Sequence, residues 1–263
     1  MGVLQNSNAI ATAGSSAFYE HEINHSVRFE EDAGDKLSRT PSSGGNRRTF
    51  TVSFWLKRTA ISHSGNHMVI FGADARDGGA NMFQLRINNS DAVQFAGNGA
   101  EIIYTPLFRD TTGWGNFVFT VDTTQATASN RFKFYFNGTQ ITDTTYNTIS
   151  SQNTETAVNQ SGVIQDIGVL GYGSNTTDFA GYLAEFVLID GTAYDASYFG
   201  EFKGGNIWIP KDPSGLTFGT NGVHFTFSNA SSLGADSSSN GNNYSATNLP
   251  VNAQTLDSPT FGS

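Results

Sequence analysis

Alternating apolar and polar residues mark a series of short strands along this chain. Residues 117–121 (FVFTV) and 132–136 (FKFYF) each place an apolar side chain, mostly phenylalanine, at every second position. A period of two residues is typical of a strand that buries one face. Asn137-Gly138 follows the second run, and both residue types tolerate the positive φ of a tight turn. The pattern therefore predicts a core hairpin that turns at Asn137-Gly138.

The same reasoning predicts a chain built almost entirely of strands. Further strands are expected at residues 26–29, 49–57, 68–71, 82–87, 92–96, 164–170, 179–189 and 223–227. The polar residues 143–162 predict a long loop, and residues 194–202 predict one short helical turn. Turn signals recur at intervals of roughly 8–12 residues, which favours an antiparallel two-sheet sandwich or a barrel.

Composition and charge narrow the class of partner. The chain has 263 residues and a net charge of −9, and it lacks the basic stripe that a nucleic-acid phosphate backbone requires. It contains no cysteine, so neither a disulfide framework nor a thiolate metal site is available. No run of 18 apolar residues occurs, so we expect no membrane insertion. The first residues have neither a basic flank nor an apolar core, so they do not predict a signal peptide.

Three segments in succession carry a family resemblance: GWGNFVFTVD, FKFYFNGTQI and IGVLGYGSNTTDFAGYLAEFVLIDGTAYD. Over residues 25–202 the chain resembles the laminin-G/concanavalin-A-like jelly roll, in which an F-x-G-x-x-x-E segment (here Phe179 to Glu185) opens an apolar strand. The flanks resemble virion proteins of tailed bacteriophages. There, an opening F-x-x-D-x-x-D-x-L-S-R-T and a closing G-x-D-S-S-x-N-G-N with D-S-P-T frame a lectin-like sandwich.

The resemblance implies a domain organisation. We expect an N-terminal arm at residues 1–24, a jelly-roll sandwich at 25–205 and a C-terminal segment at 206–263. In that segment, strand 223–227 completes the sandwich and a polar Gly/Ser/Asn-rich tail follows. The first and last strands of a jelly roll commonly lie side by side. Val27 and Phe29 should then share a buried layer with Phe225 and Phe227. Residues 1–24 and 230–263 should leave from the same edge and lie over neighbouring subunits or other virion proteins.

Glycoside hydrolysis is the main alternative activity, because glucanases share this architecture. Retaining glycosidases need two carboxyl groups about 5–5.5 Å apart. The nearest match to their Glu-x-Asp-x-x-Glu string begins at Glu30-Glu31-Asp32 and ends in Asp35 instead of Glu. Its glycine and its lack of apolar residues predict a loop of solvated charges. We therefore expect no catalytic residues and no enzyme activity.

Two loops contain residue types that bind metals. His63 and His67 lie four positions apart in a turn but have no third zinc ligand nearby. Asp74, Asp77 and Asn81 supply the oxygen ligands that calcium prefers, and the family resemblance favours calcium at the rim of the sandwich. The alternative for the acidic loop is turn-forming carboxylates in water. We expect no cofactor apart from this candidate calcium ion.

Aromatic residues on the faces opposite the phenylalanines are candidates for glycan binding. The predicted set is Trp55, Gln84, Arg86, Tyr104 and Tyr135. Sugar recognition combines a stacking ring with planar hydrogen-bonding groups, and this set supplies both. The alternative is that these side chains cover the outer surface or contact a neighbouring subunit. Trp114 is expected to pack structurally at the entry of its strand.

These observations predict a non-enzymatic, lectin-like virion surface protein. The favoured placement is a tail or fibre component that contacts the host cell-surface glycan. A capsid decoration protein on the head is the alternative, and a free carbohydrate-binding lectin fits poorly without a signal peptide. The expected partners are other virion proteins, host surface polysaccharide and further copies of the chain itself, since symmetric self-association is common.

Overall fold

The computed structural model describes residues 18–31, 33–61, 67–75, 81–169 and 178–260. In chain order the strands are β1 (Ser26–Phe29), β2 (Lys36–Arg39), β3 (Thr49–Arg58), β4 (Met68–Asp74), β5 (Met82–Ile87), β6 (Ala92–Gly97), β7 (Ala100–Leu107), β8 (Gly115–Asp122), β9 (Phe132–Phe136), β10 (Thr139–Ile141), β11 (Thr144–Thr148), β12 (Ile164–Ile167), β13 (Gly181–Asp190), β14 (Gly200–Lys203), β15 (Ile207–Pro210), β16 (Val223–Phe225), β17 (Ser245–Thr247) and β18 (Gln254–Thr255). Short 3₁₀ helices occupy Ala128–Asn130, Ala196–Tyr198 and Val251–Ala253.

Within the described ranges, two antiparallel sheets of eight strands form a sandwich. Sheet A has the order β10-β9-β8-β3-β13-β1-β18, and β16 also pairs with β13. Sheet B has the order β11-β7-β6-β5-β4-β12-β2-β17, and β14 with β15 forms a separate hairpin. The predicted all-β, two-sheet antiparallel sandwich is therefore confirmed. No helix in this part of the chain is long and apolar enough to cross a membrane.

Phenylalanine rings fill the space between the two sheets. The inward positions of β3, Phe50 and Phe54, are fully buried, as the two-residue period predicts. Phe119 on β8 and Phe134 on β9 lie side by side with ring centroids 4.8 Å apart. Stacked and edge-to-face aromatic pairs contribute about 0.5–1.5 kcal/mol beyond the burial of their area, so these rings stabilise the sandwich strongly.

The hairpin turn at Asn137-Gly138 is confirmed. β9 and β10 pair in antiparallel register across it, with Phe136 opposite Thr139. Asn137 has φ of 43° and Gly138 has φ of 78°. Two successive residues with positive φ are the mark of the two-residue turn whose twist matches that of the flanking strands.

The first and last predicted strands do not lie side by side. β1 pairs with residues 181–183 of β13, and β16 pairs with Phe186 to Leu188 of the same strand. Both therefore follow one edge of β13, one after the other, because β13 is ten residues long and each partner is short. Val27, Phe29, Phe225 and Phe227 do share one buried core, as predicted.

The C-terminal segment packs on its own sandwich. β17 extends sheet B by pairing with β2, and β18 extends sheet A by pairing with β1. Residues 18–24 of the predicted N-terminal arm are also packed, since Ile23 is buried and exchanges two hydrogen bonds with the Thr260 hydroxyl. The expectation that both flanks lie outside the domain is thus wrong for these residues, which find their partners within the chain.

The predicted loop at residues 143–162 contains a strand. β11 pairs with β7 at the edge of sheet B, with a register shift between Thr144 and Tyr146. Its side chains are largely exposed, so no apolar alternation distinguishes it from a loop. The predicted helical turn at residues 194–202 is present as the 3₁₀ helix Ala196–Tyr198, which the Asp195 side chain caps.

Candidate functional site

The predicted glycan-binding residues do not form one site. Trp55 and Tyr135 lie on the outer face of sheet A, and Gln84 and Arg86 lie on the outer face of sheet B. Arg86 is held there by the side-chain oxygens of Gln84 and Gln94. The fifth residue, Tyr104, lies in the core, so the five residues are divided among the two outer faces and the interior of the sandwich.

Tyr104 is the residue whose predicted orientation is wrong. It is 3% exposed and packs in the core, with its ring centroid 5.0 Å from that of Phe134. Burial raises the pKa of its hydroxyl. Glu101 and Thr105 are polar and share a face with Ile103, so strand alternation places Ile102 and Tyr104 on the inward face. In the structure Ile102 and Tyr104 face inward, while Ile103 faces outward.

Asp74 and Asn81, the predicted calcium ligands that the structure describes, lie at the facing ends of the paired strands β4 and β5. Asp74 ends β4 and is buried, whereas Asp77 and His63 lie outside the described residues. Asn81 donates to Gln160 at 2.7 Å and accepts from Asn98 at 3.2 Å. Among the residues described, no group of three His, Asp or Glu side chains could hold a metal ion. The calcium site therefore stays a prediction.

Of the two histidines considered as zinc ligands, the structure describes His67. Burial and the nearby Arg86 lower the pKa of His67 to about 4.

All three tryptophans of the chain gather on the outer face of sheet A. Trp55 is buried in a cluster with Ile23 and Ala184, and Trp114 and Trp208 pack against that cluster. The three residues come from β3, from the turn before β8 and from β15. Only the tertiary structure brings these distant segments of the chain together.

Trp208 is held over the hairpin turn with little freedom to move. A Cβ atom at Gly138 would lie 2.3 Å from its ring, and one at Gly200 would lie 2.4 Å from it. The indole nitrogen donates to Asn116 Oδ1 at 3.1 Å. Asn116 is itself fully buried and bonded to the Phe54 carbonyl. This ring is therefore fixed in place before any ligand arrives.

Trp114 is fixed by the C-terminal segment. Its indole nitrogen donates to Asp257 Oδ1 at 3.0 Å, and Lys57 forms an ion pair with the other oxygen of Asp257. The Lys57 ammonium lies 5.6 Å from the centre of the Trp114 ring and 4.9 Å from that of Tyr182. Asp257 opens the D-S-P-T motif, so the closing motif of the sequence orients the Trp114 ring.

The tryptophans line an open groove of about 530 Å³, which we call the tryptophan groove. Its walls include Trp55, Trp114, Phe202, Ile207 and Trp208, with the amides of Asn137 and Asn206 among them. Phe202 is 52% exposed and Ile207 is 53% exposed. Phe202 meets Trp208 nearly edge to face, with ring centroids 4.9 Å apart. The groove thus presents aromatic surface and side-chain amides to solvent.

A cavity of about 400 Å³ adjoins the groove at the end of the sandwich and shares Trp114, Phe136, Asn137 and Ile141 with it. At its wall the buried Arg58 pairs with the buried Asp91 at 2.8 Å, and Arg109 pairs with the other oxygen of Asp91 at 2.9 Å. Ion pairing compensates these charges in a site where an unpaired ion would be costly.

Among the residues that the structure describes, the lining of the groove and the cavity does not contain the carboxylate pair of a glycosidase. Asp110 is the one carboxylate among their described lining residues, and it caps its own turn by accepting from Thr112 and Gly113. These hydrogen bonds lower the pKa of Asp110.

The described residues of the segment from Glu30 to Asp35, the nearest match in the sequence to the glycosidase string, do not form a carboxylate pair either. Glu30 is exposed, while the Asp35 carboxylate accepts the Glu30 N–H at 2.8 Å. Asp35 is buried, not solvated, and burial raises its pKa.

Glu185 is paired, as expected for a carboxylate inside an apolar strand. It lies in the bulge of β13 with φ of 43°, and its Oε1 is 2.6 Å from His21 Nε2 and 3.4 Å from His224 Nε2. Burial opposes protonation of His21, but the hydrogen bond and the charge of Glu185, with the charge of Asp212, raise its pKa overall. The pair fastens the N-terminal segment to sheet A.

The opening and closing sequence motifs contact each other. Arg39 of the opening motif donates to Asn221 and to Asn242, the last residue of the closing G-x-D-S-S-x-N-G-N. Within that closing motif, the Asp236 carboxylate accepts backbone N–H groups of His224, Ser238 and Asn242. These motifs build structure that joins the two ends of the chain.

Trp208 and Phe202 line the groove but are not among the residues predicted from the sequence. A signal was present, because EFKGGNIWIP has the two short strands and the glycine-rich turn of a hairpin. β14 and β15 form that hairpin, with Phe202 opposite Trp208. Nothing in the sequence indicated that it lies over Trp55.

Comparison with known proteins identifies a matching family model and similar solved structures. A family model described as "Concanavalin A-like lectin/glucanases superfamily" matches residues 32–196. No curated protein matches the sequence. A proposed carbohydrate-binding protein from Bacteroides ovatus is similar in structure, with a TM-score of 0.60 and 15% identity. The match covers 86% of this chain and 58% of that protein, so this chain spans less than two thirds of its relative.

Two further solved structures are more distant. A heptameric SAP-like pentraxin from Limulus polyphemus has a TM-score of 0.46 and 13% identity, over 66% of this chain and 79% of that one. The CBM40 module of a Ruminococcus gnavus sialidase, bound to sialyllactose, has a TM-score of 0.43 and 12% identity, over 62% of this chain and 93% of that one.

The family model covers more than half of this chain, so the chain belongs to the concanavalin A-like lectin/glucanase superfamily.

Proposed function

We propose that this protein is a non-enzymatic, glycan-binding virion protein whose ligand lies in the tryptophan groove. The observation that carries the proposal is the convergence of Trp114, Trp208 and Phe202 beside the amides of Asn137 and Asn206. An aromatic ring covers the apolar face of a sugar, and amides bond to its hydroxyl groups. Trp114 and Trp208 are already fixed by Asp257 and Asn116, so binding costs little ordering entropy.

Binding without hydrolysis fits the chemistry of the groove. A retaining or inverting glycosidase needs two carboxyl groups on either side of the scissile bond. The groove and the adjoining cavity offer Asp110 alone among their described lining residues, and that carboxylate is engaged in its own turn. A fixed aromatic surface with one carboxylate supports recognition and not bond cleavage.

Replacement of Phe202 by alanine tests the binding site. Phe202 is exposed, so Phe202→Ala should fold normally while weakening glycan binding about tenfold, which corresponds to about 1.4 kcal/mol. The measurement is binding of the full chain to a printed array of microbial glycans, with laminarin and alginate included. Tyr146→Ala is the matched control, because Tyr146 is 49% exposed on β11 of the opposite sheet.

The same samples test for catalysis. We expect no reducing ends to accumulate above a heat-killed control. Equal binding by Phe202→Ala and the control variant would show that the ligand does not use the groove. Release of reducing ends that disappears in Glu30→Gln would show that the protein is an enzyme.

The placement proposed for this glycan-binding protein is a tail or fibre. What supports it is the resemblance of the two flanks to virion proteins of tailed bacteriophages, together with the glycan-binding groove, which suits a host-contacting surface. Other virion proteins and further copies of the chain are the proposed partners. The exposed strand β11 at the edge of sheet B is available for such contacts.

Immunogold labelling of purified particles tests this placement. An antibody raised against the full chain should label tails or fibres in electron micrographs, and particles from a strain lacking the gene serve as the control. Label confined to heads would favour a capsid decoration protein. Absence of label on intact particles and in their denatured protein would contradict a virion role.

A further inference from the structure

A second groove, of about 460 Å³, lies on the outer face of sheet A beside the tryptophan groove. Its walls include Tyr135, Tyr194 and Tyr198, with Lys133, Gln125 and Asn130 among them. We call it the tyrosine groove. Its described lining residues come from β8, from β9, from the turns that follow β8 and β13, and from the 3₁₀ helices Ala128–Asn130 and Ala196–Tyr198.

The aromatic wall of this groove is rigid. Tyr194 donates its backbone N–H to the Thr51 hydroxyl at 2.8 Å, and its carbonyl accepts from the Thr120 hydroxyl. The ring of Tyr198 contacts that of Tyr194 in a tilted arrangement, with centroids 4.3 Å apart and planes inclined at 38°, and Tyr198 remains 43% exposed. The groove therefore presents a fixed aromatic surface to solvent.

The polar groups of the groove favour an uncharged ligand. Lys133 makes no ion pair with any residue that the structure describes, and the carboxylates of Asp122 and Asp195 line the same groove. Gln125, Thr124 and Thr49 donate to Asp122, and these bonds lower its pKa although burial opposes the change. Two carboxylates against one ammonium leave the groove negative, which disfavours acidic sugars.

The two grooves are neighbours along one strand. Lys133 and Tyr135 face outward from β9, and Asn137 in the turn that follows belongs to the tryptophan groove. Four residues of extended strand span roughly 13 Å, which is within the reach of one oligosaccharide. Tyr135, Tyr194 and Trp208 also pack against the same apolar cluster, which connects the walls of the two grooves.

We propose that the tyrosine groove is a second subsite that binds neutral, hydroxyl-rich sugar residues of the same glycan chain that occupies the tryptophan groove. This rests on the proposed function. The tilted pair Tyr194 and Tyr198 receives the apolar face of a sugar, and Lys133, Gln125 and Asn130 supply hydrogen bonds to its hydroxyl groups. The carboxylates of Asp122 and Asp195 exclude uronic acids and other acidic residues.

Affinity electrophoresis of the full chain tests the subsite. Gels contain either a neutral polysaccharide (laminarin, mannan or dextran) or an acidic one (alginate or polygalacturonate). The wild-type chain should be retarded in at least one neutral gel and less in the acidic gels. Tyr198→Ala should weaken that retention about tenfold, Lys133→Ala should weaken it to a smaller extent, and Tyr146→Ala should leave it unchanged.

Oligosaccharides prepared from the polysaccharide that retards the wild-type chain distinguish the contributions of the two grooves. Titration calorimetry should show that Tyr198→Ala weakens the binding of long oligosaccharides but not of short ones, whereas Phe202→Ala weakens the binding of both. If Phe202→Ala weakens binding and Tyr198→Ala does not, the second subsite is wrong and the proposed function stands. Stronger retention in acidic gels overturns the inferred ligand class. Failure of every gel to retain the wild-type chain overturns both proposals.

Discussion

A chain that ends at Thr220 is expected to aggregate instead of folding. The truncation removes β16, β17 and β18, which exposes one edge of β13, one edge of β2 and one edge of β1. It also removes the buried side chains of Val223, Phe225, Phe227, Leu233 and Tyr244. Each such side chain contributes about 1.5–3 kcal/mol on burial, and their sum is comparable with the whole stability of a domain, about 5–15 kcal/mol. Unpaired strand edges then promote association.

Size-exclusion chromatography and denaturant unfolding measure this outcome. The full chain should elute as a folded species with one cooperative transition, and the truncated chain should be found in the insoluble fraction. Val251→Ser in the full chain is the control, since Val251 belongs to the removed segment but is exposed. A soluble truncated chain that unfolds cooperatively would show that the C-terminal strands do not complete the sandwich.

Replacement of Phe134 by alanine is expected to cost about 3–5 kcal/mol of unfolding free energy. The ring is fully buried, with the centroids of Phe119 and Tyr104 at 4.8 and 5.0 Å. Deletion of the ring leaves a cavity between the two sheets that rigid neighbours on β7 and β8 cannot fill. Loss of the stacked pairs adds to the loss of buried area.

Guanidinium titrations monitored by circular dichroism measure the cost. Tyr146→Ala serves as the control for removal of an exposed ring from a strand, and it should change stability by less than about 0.5 kcal/mol. A midpoint for Phe134→Ala that equals the wild-type midpoint would contradict the assignment of β9 to the core. Phe119→Ala should give a loss of similar size, and the double variant should cost less than the sum because the two rings contact each other.

Local patterns in the sequence determined the sandwich and its central hairpin. Phenylalanine at alternate positions of β8 and β9 defines their buried faces, because a strand turns successive side chains to opposite sides. Asn137-Gly138 specifies the turn, since both residues adopt positive φ at little cost. The buried layer of Val27, Phe29, Phe225 and Phe227 followed from the same alternation.

Tertiary pairing decided the elements that have no such pattern. β11 (Thr144–Thr148) is polar on both faces, and only its pairing with β7 makes it a strand. β1 and β16 share one edge of β13 because that strand is longer than both, a property of the assembled sheet.

The candidate site is a feature that the tertiary structure decided. The sequence indicated Trp55 and Tyr135 from their outward positions, and both lie on the outer face of sheet A beside the two grooves. The groove itself needs Trp208 from a hairpin some 150 positions beyond Trp55 and Asp257 from the end of the chain. Alternation is a local consequence of strand geometry, so a sequence reveals it. The meeting of distant segments depends on how whole sheets and hairpins pack, and only the tertiary structure settles that.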